Sequence, residues 1–288
     1  MAPPHYRGRS LRPHPPAIVL GLDSAINLSI IRELGQQGVP VIGVGPSPTS
    51  MAAASRYCSQ AIIRPAGPIM SWLPDIVRRT GAMALFAVSE SDLLELASGP
   101  QFIGRCKVLT PRMEQLQRAL NKSETLSVAK ELGIDVPQTW QPQAGDDFAT
   151  RFAEQSFPAI AKWDNPNDVL PLLEEAGLKW EKAEFISNAG QLDRLLDRFK
   201  VIGRWPLIQS YCPGVGLGQM LYMARDRATL RFQHVRLHEW PPEGGVSTLC
   251  YNEPLNQHQA QMMRSERLLQ ELEWDGPAMV EYRYDAAR

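Results

Sequence analysis

Phe157-Pro158-Ala159-Ile160-Ala161-Lys162 is a short apolar strand that ends on a lysine. Alternation along a strand puts Ile160 and Lys162 on one face. An ammonium group closing an apolar strand is costly to bury unless an anion meets it. Three more segments flank this one in a fixed order. Asn121-Lys122 precedes a helix through Leu126, Ala129 and Leu132, which Ser123 can cap and Gly133 stops. Pro206-Leu-Ile-Gln-Ser-Tyr-Cys-Pro-Gly214 reads as a strand, Leu207 to Tyr211, that runs into a loop. Pro277-Ala-Met-Val-Glu-Tyr-Arg283 reads as part of a strand from Ala278 to Asp285, with Met279, Glu281, Arg283 and Asp285 on one face.

Further from these segments, the chain of 288 residues is long enough for two domains and a sizeable core. Its net charge of −1 at pH 7 creates no global field towards nucleic acid or anionic lipid. No apolar run approaches the ~18 residues of a membrane span. Met1 to Pro16 is rich in Pro, Arg and His without an apolar signal core, and reads as a disordered tail. Cys58, Cys106, Cys212 and Cys250 form no Cys-x-x-Cys pair and have no histidine at metal spacing. They read as reduced thiols of a cytoplasmic protein.

Between the tail and Pro111, apolar runs at 17–22, 39–44, 62–63 and 84–88 alternate with helical patterns. One helix presents Ile26, Ile30, Ile31 and Leu34; others run from Trp72 to Arg79 and through Leu93, Leu94 and Leu96. This alternation predicts an open parallel sheet. After Pro111 the pattern becomes α+β. Strands are expected at 134–140, 159–162, 207–211, 219–224 and 230–239, with helices at 189–199 and 258–272. Gly214, Gly216 and Gly218 read as a turn between antiparallel strands. His234, Arg236 and His238 share one strand face by alternation.

Taken together, the ordered segments resemble the ATP-grasp superfamily, and within it carboxylate-amine ligases similar to the large subunit of carbamoyl-phosphate synthase. The resemblance implies a preceding α/β domain at 17–109. At 110–288 it implies a two-lobed α+β nucleotide-binding fold that is incomplete at its C-terminus. It implies ATP and Mg²⁺ as cofactors, with Lys122 and Lys162 on phosphate oxygens. Gln209, Ser210, Tyr211 and Cys212 would form the hinge against the adenine edge. Arg236 and Arg283 would be the catalytic guanidinium groups, Arg236 as a bidentate fork on phosphate or carboxylate. Glu281 would be the metal ligand. Gly244 and Gly245 would let backbone amides approach an acyl phosphate. Asp164 to Gly177 stands where a mobile phosphate-covering loop would sit, although it is not glycine-rich.

The implied activity is ATP-dependent activation of a small-molecule carboxylate as an acyl phosphate, which an amine or similar nucleophile then attacks. The resemblance names neither substrate and leaves the oligomeric state open. The family's second metal element, a Glu-x-Asn-x-Arg strand, does not occur before Arg288. A fragment, or a short form that binds nucleotide poorly or not at all, is therefore expected, and a single carboxylate would hold Mg²⁺ loosely. The alternative is a non-catalytic nucleotide- or metabolite-binding relative. A nicotinamide-dependent oxidoreductase is disfavoured, because the first β-α turn reads Gly21-Leu-Asp-Ser-Ala-Ile26 and lacks the glycine fingerprint.

Overall fold

The computed structural model describes residues 14–147, 155–242 and 245–285. Most of the expected tail, and Gly244, lie outside the described residues. The chain divides into two compact units between Leu116 and Gln117.

The first unit is built on a six-stranded sheet of order β3-β2-β1-β4-β6-β5. Its strands are β1 (Ala17–Leu20), β2 (Val41–Gly45), β3 (Cys58–Ile63), β4 (Ala84–Phe86), β5 (Phe102–Ile103) and β6 (Cys106–Val108). All neighbours are parallel except β5 against β6. Helices α1 (Ala25–Gln36), α2 (Ile69–Thr80) and α3 (Glu90–Ala97) connect them. Every residue of β1 is buried, and its side chains alternate between two cores. Ile18 and Leu20 pack with Leu73, Ile76 and Leu96, whereas Val19 packs with Ile31 and Leu22. Burial on both faces explains why these strands read as uninterrupted apolar runs. One helical face differs from the sequence reading: Ile26 is exposed, and Asn27 and Ile31 are the buried residues of α1. Ser24 accepts the Asn27 N–H at 3.1 Å as N-cap, which turns Asn27 rather than Ile26 towards the sheet.

Helix α4 (Met113–Leu120) carries the chain into the second unit, where α5 (Lys122–Glu131) follows. Asn121, not Ser123, caps α5, accepting the Glu124 N–H at 2.8 Å. Two antiparallel sheets follow. The first has β7 (Thr139–Trp140), β8 (Ala159–Lys162), β9 (Glu184–Ile186) and β10 (Leu207–Ser210) in the order β7-β10-β8-β9. One of its faces is covered by α6 (Pro166–Glu175) and α7 (Ala189–Phe199). Ala159, Ala161 and Ile208 pack there against Leu173, Leu192 and Phe199. A helix with Asn165 as N-cap thus occupies most of the stretch expected to be a phosphate-covering loop.

The second sheet has β11 (Val215–Ala224), β12 (Arg227–Trp240), β13 (Val246–Asn252) and β14 (Gly276–Tyr284) in the order β13-β12-β11-β14. Helix α8 (Gln259–Glu271) covers one face, where Met262 and Leu269 meet Leu221, Met223 and Ala228. Leu268 of α8 and Leu272, the C-cap just after it, also pack with Ala129 and Ile134, which ties α5 to this sheet. Within that buried face Gln219 donates to Gln233 at 2.9 Å and accepts from Ser265 at 2.7 Å. A satisfied polar pair of this kind fixes strand register without the penalty of an orphaned amide. The β11–β12 turn is Arg225-Asp226, both at positive φ. Gly216 and Gly218 lie inside β11, which corrects their assignment to a turn. Among the described residues no helix is long and apolar enough to cross a membrane.

Candidate functional site

The face of β11, β12 and β14 away from α8 carries an ionic cluster. Cross-strand register sets Gly216 opposite Arg283 and Gly218 opposite both Glu281 and His234. Arg236 on β12 reaches Glu281 on β14 by crossing β11, a span of about 9.5 Å at ordinary strand spacing. The missing side chains on β11 make this crossing feasible. A Cβ at Gly216 would stand 2.6 Å from Arg236 Cδ, and one at Gly218 would stand 2.7 Å from His234 Nε2. Gly214 has a different constraint: its φ is 109° and a Cβ would lie 2.3 Å from the Tyr284 carbonyl oxygen.

Glu239 organises the two guanidinium groups. Arg236 Nη1 donates to Glu239 Oε1 at 3.1 Å, and Arg283 Nη1 donates to Oε2 at 2.5 Å. Arg283 Nη2 also donates to the Gly214 carbonyl at 2.6 Å. On a regular strand, residues 236 and 239 would face opposite ways. Irregular pairing of β12 with β13 between Arg236 and Glu239 breaks the alternation and brings the Glu239 carboxylate onto the arginines. Burial alone would raise the Glu239 carboxyl, but hydrogen bonds from Arg283 and Arg236 outweigh it and hold the pKa below its ordinary value. The cluster borders a cleft of about 560 Å³ that also touches Gly214, Gly216 and Trp240.

Lys162 ends β8 on the sheet face opposite α6 and α7, together with Ile160. Burial pushes its ammonium pKa down, and the Lys182 and Arg283 charges lower it further. Among the described residues no carboxylate pairs with it. Lys122 is engaged differently: its ammonium donates to the Asp164 carbonyl at 2.5 Å, and the Asp164 carboxylate accepts the Ser123 N–H at 2.9 Å. It anchors the chain just past β8, so any phosphate contact would require it to share that carbonyl.

The hinge residues separate by face. Gln209 pairs with Ile160, points to the Lys162 side and donates to Thr139 Oγ1 at 3.2 Å. Ser210 pairs with Ala159 on the helix-covered side, where its hydroxyl is buried and has no hydrogen-bond partner among the described residues. The Ser210 and Tyr211 N–H groups already donate to Gln138 and Pro158 carbonyls, at 2.9 and 3.1 Å. The Tyr211 ring meets Phe185 edge-on at 5.7 Å, and the Cys212 thiol lies 3.7 Å from the Ser210 carbonyl.

The donor set fits an anionic polyphosphate: one partly desolvated ammonium with no carboxylate partner among the described residues, two arginines and a glycine-lined strand. For a divalent cation the set is thinner. Glu281 is partly exposed and bound to Arg236, and no group of three or more His, Cys, Asp or Glu suited to a metal occurs among the described residues. Mg²⁺ bound chiefly through phosphate oxygens and water needs only one or two carboxylates, so Glu281 fits that role in company with a nucleotide.

Glu239 and Lys182 were not anticipated as site residues. Glu239 gave one signal: an Arg and a Glu three apart on a strand can meet only across a bulge. Nothing in the sequence marks Lys182 out from other exposed lysines.

No family model and no curated protein matches the chain. Solved structures do. An N5-carboxyaminoimidazole ribonucleotide synthetase in complex with ADP aligns at TM-score 0.65 and 13% identity, over 96% of this chain and 68% of that one. The same synthetase from Thermus thermophilus aligns at TM-score 0.63 and 14% identity, over 94% and 68%. An L-amino acid ligase from Bacillus licheniformis aligns at 0.62 and 12%, over 95% and 64%. The chain thus spans about two thirds of the length of these proteins. At these identities the likeness defines a fold, and that fold is the ATP-grasp fold.

Proposed function

We propose, from the ATP-grasp fold of this chain, that its second unit binds ATP and uses it to activate a small-molecule carboxylate for attack by an amine or similar nucleophile. Lys162 is the observation that carries this reading. A charge held below its ordinary pKa by burial and by two neighbouring cations, and lacking an acidic partner among the described residues, is relieved by an anion. Similar folds were solved as an N5-carboxyaminoimidazole ribonucleotide synthetase with ADP and as an L-amino acid ligase, which supports a nucleotide as that anion.

In this reading the carboxylate oxygen attacks the γ-phosphorus as the bond to the ADP oxygen breaks. The nucleophile then adds to the acyl carbon, loses its proton and expels phosphate. Lys162 and Arg283 neutralise the charge of the phosphates. Arg236 turns from Glu281 towards the transferred phosphoryl group or the carboxylate, where its planar fork holds two oxygens. Glu239 keeps both guanidinium groups aimed as charge moves, which supplies positioning without a protein nucleophile. Mg²⁺, held by Glu281 and phosphate oxygens, would supply charge neutralisation on the phosphates. The four free cysteines agree with a reducing compartment, and we place the protein in the cytoplasm.

A second reading has its own support. Glu281 already has Arg236 as counter-ion, and one carboxylate offers a metal little on its own. A protein that binds nucleotide without turning it over would look the same at this site. Hydroxylamine trapping separates the two. With ATP, Mg²⁺ and a panel of carboxylic acids, the ligase reading predicts hydroxamate in amounts matching released phosphate for at least one acid. Nucleotide binding with no phosphate release from any acid would favour the non-catalytic reading.

A further inference from the structure

The open face of the β11–β12–β14 sheet changes character abruptly along its length. Cross-strand partners form rows about 6.8 Å apart, two residues per step. The row at Gly218 holds His234 and Glu281, with Arg236 and Arg283 one step nearer the hinge. The next row, at Met220, holds Phe232 and Met279, and the one beyond, at Tyr222, holds Leu230 and Pro277. The last two rows have no charged residue on this face. Their side chains are also outside the core: Leu230 is 68% exposed, Met279 49% and Phe232 44%. The core of this sheet lies on its other face, beneath α8.

We infer that this apolar surface is the specificity surface for the carboxylate substrate, and that the substrate has an apolar body. The inference rests on the proposed ligase reading and adds the substrate class to it. A contiguous exposed apolar strip marks a binding surface more often than an idle one. Here the strip begins one row beyond Glu281, which Arg236 grips, and two rows, about 14 Å, beyond the strand positions of the two arginines that would receive a carboxylate. An acid taking the place of Glu281 on Arg236 would sit at the Gly218 row, and a chain of about five or six carbons would bring it to Met220, Phe232 and Met279, about 7 Å further on. A small or doubly charged acid would leave the apolar row wet and place its second charge against it. The adenine end of a nucleotide does not compete for this surface, because the hinge precedes Val215 at the opposite end of β11.

The test is a series of straight-chain monocarboxylates from acetate to octanoate, titrated calorimetrically into the whole chain with magnesium and a non-hydrolysable ATP analogue. Affinity should rise about fourfold per methylene once the chain is long enough to reach the strip, and stay flat before that. In the Phe232→Ser/Met279→Ser variant the gain should fall below about twofold per methylene. Both side chains are exposed, so the variant should fold, and a melting curve checks that. As an independent readout, the Met279 methyl resonance should shift with hexanoate but not with acetate. An affinity that does not change along the series, or an equal gain per methylene in the variant, would overturn the inference and leave the strip to another occupant. Failure of the analogue itself to bind would count against the nucleotide reading, and the chain-length dependence would still decide this one.

Discussion

Lys162→Met should weaken MgATP binding about ten- to a hundredfold, the range expected from losing a hydrogen bond of about 1.5–3 kcal/mol to a charged group. The same change should leave the ligand-free protein as stable as before, or more stable. This pairing of effects distinguishes a binding residue from a structural one. A lysine that stabilised the fold would be ion-paired, and its removal would cost stability. Lys162 is instead desolvated beside Lys182 and Arg283, so folding disfavours its charged form. Its pKa is lowered in the folded chain, and the unfolded chain therefore keeps the proton to higher pH. Stability contributed through Lys162 accordingly rises as pH climbs from the folded pKa towards the ordinary value of 10.5. Calorimetric titration and melting curves on the alkaline side, compared with the methionine variant, check both halves. Unchanged affinity, or a marked loss of stability in the variant, would contradict the assignment.

Glu239→Gln should destabilise the second unit by about 2–3 kcal/mol, towards the lower end of the cost of stripping one partner from a buried ion pair. Glu239 is only 10% exposed in its side chain, whereas Arg236 and Arg283 keep 19% and 28%. That residual solvation of the arginines is why the full penalty is not expected. A drop of about 5–10 °C in melting temperature corresponds to this loss for a unit of this size. The acid limb of stability should change as well. The folded Glu239 pKa is depressed, so its contribution is complete above the ordinary carboxylate range and is lost as pH falls through the lower folded value. The glutamine variant should lack that part of the acid transition. A change below about 1 kcal/mol would mean that the arginines are held by something other than this carboxylate.

What could be read from the sequence was the part governed by local pattern. The strand 159–162 was legible because an apolar alternation ends in a lysine, and β1 was legible because burial on both faces leaves an apolar run. The less legible features depend on contacts across the sheet. Gly216 and Gly218 look like turn residues in isolation, and only the passage of Arg236 and His234 over β11 explains them. Glu239 joins the site through an irregularity in pairing with β13, a strand absent from the sequence reading. The Ser210 hydroxyl falls on the helix-covered side because β10 pairs Ser210 with Ala159, a register that neither segment encodes alone. Lys122 stands at the helix start that the motif indicates, but its contact with the Asp164 carbonyl depends on where β8 ends.

Hydrogen exchange of the whole chain with and without MgATP tests the central claim most directly, namely that the nucleotide lies in the second unit against Lys162, the hinge and the arginine cluster. The account predicts slowed exchange in segments 159–162, 207–219 and 279–284, and no change across β1 to β6. Protection confined to residues 14–116, or none in the three segments at saturating nucleotide, would contradict it.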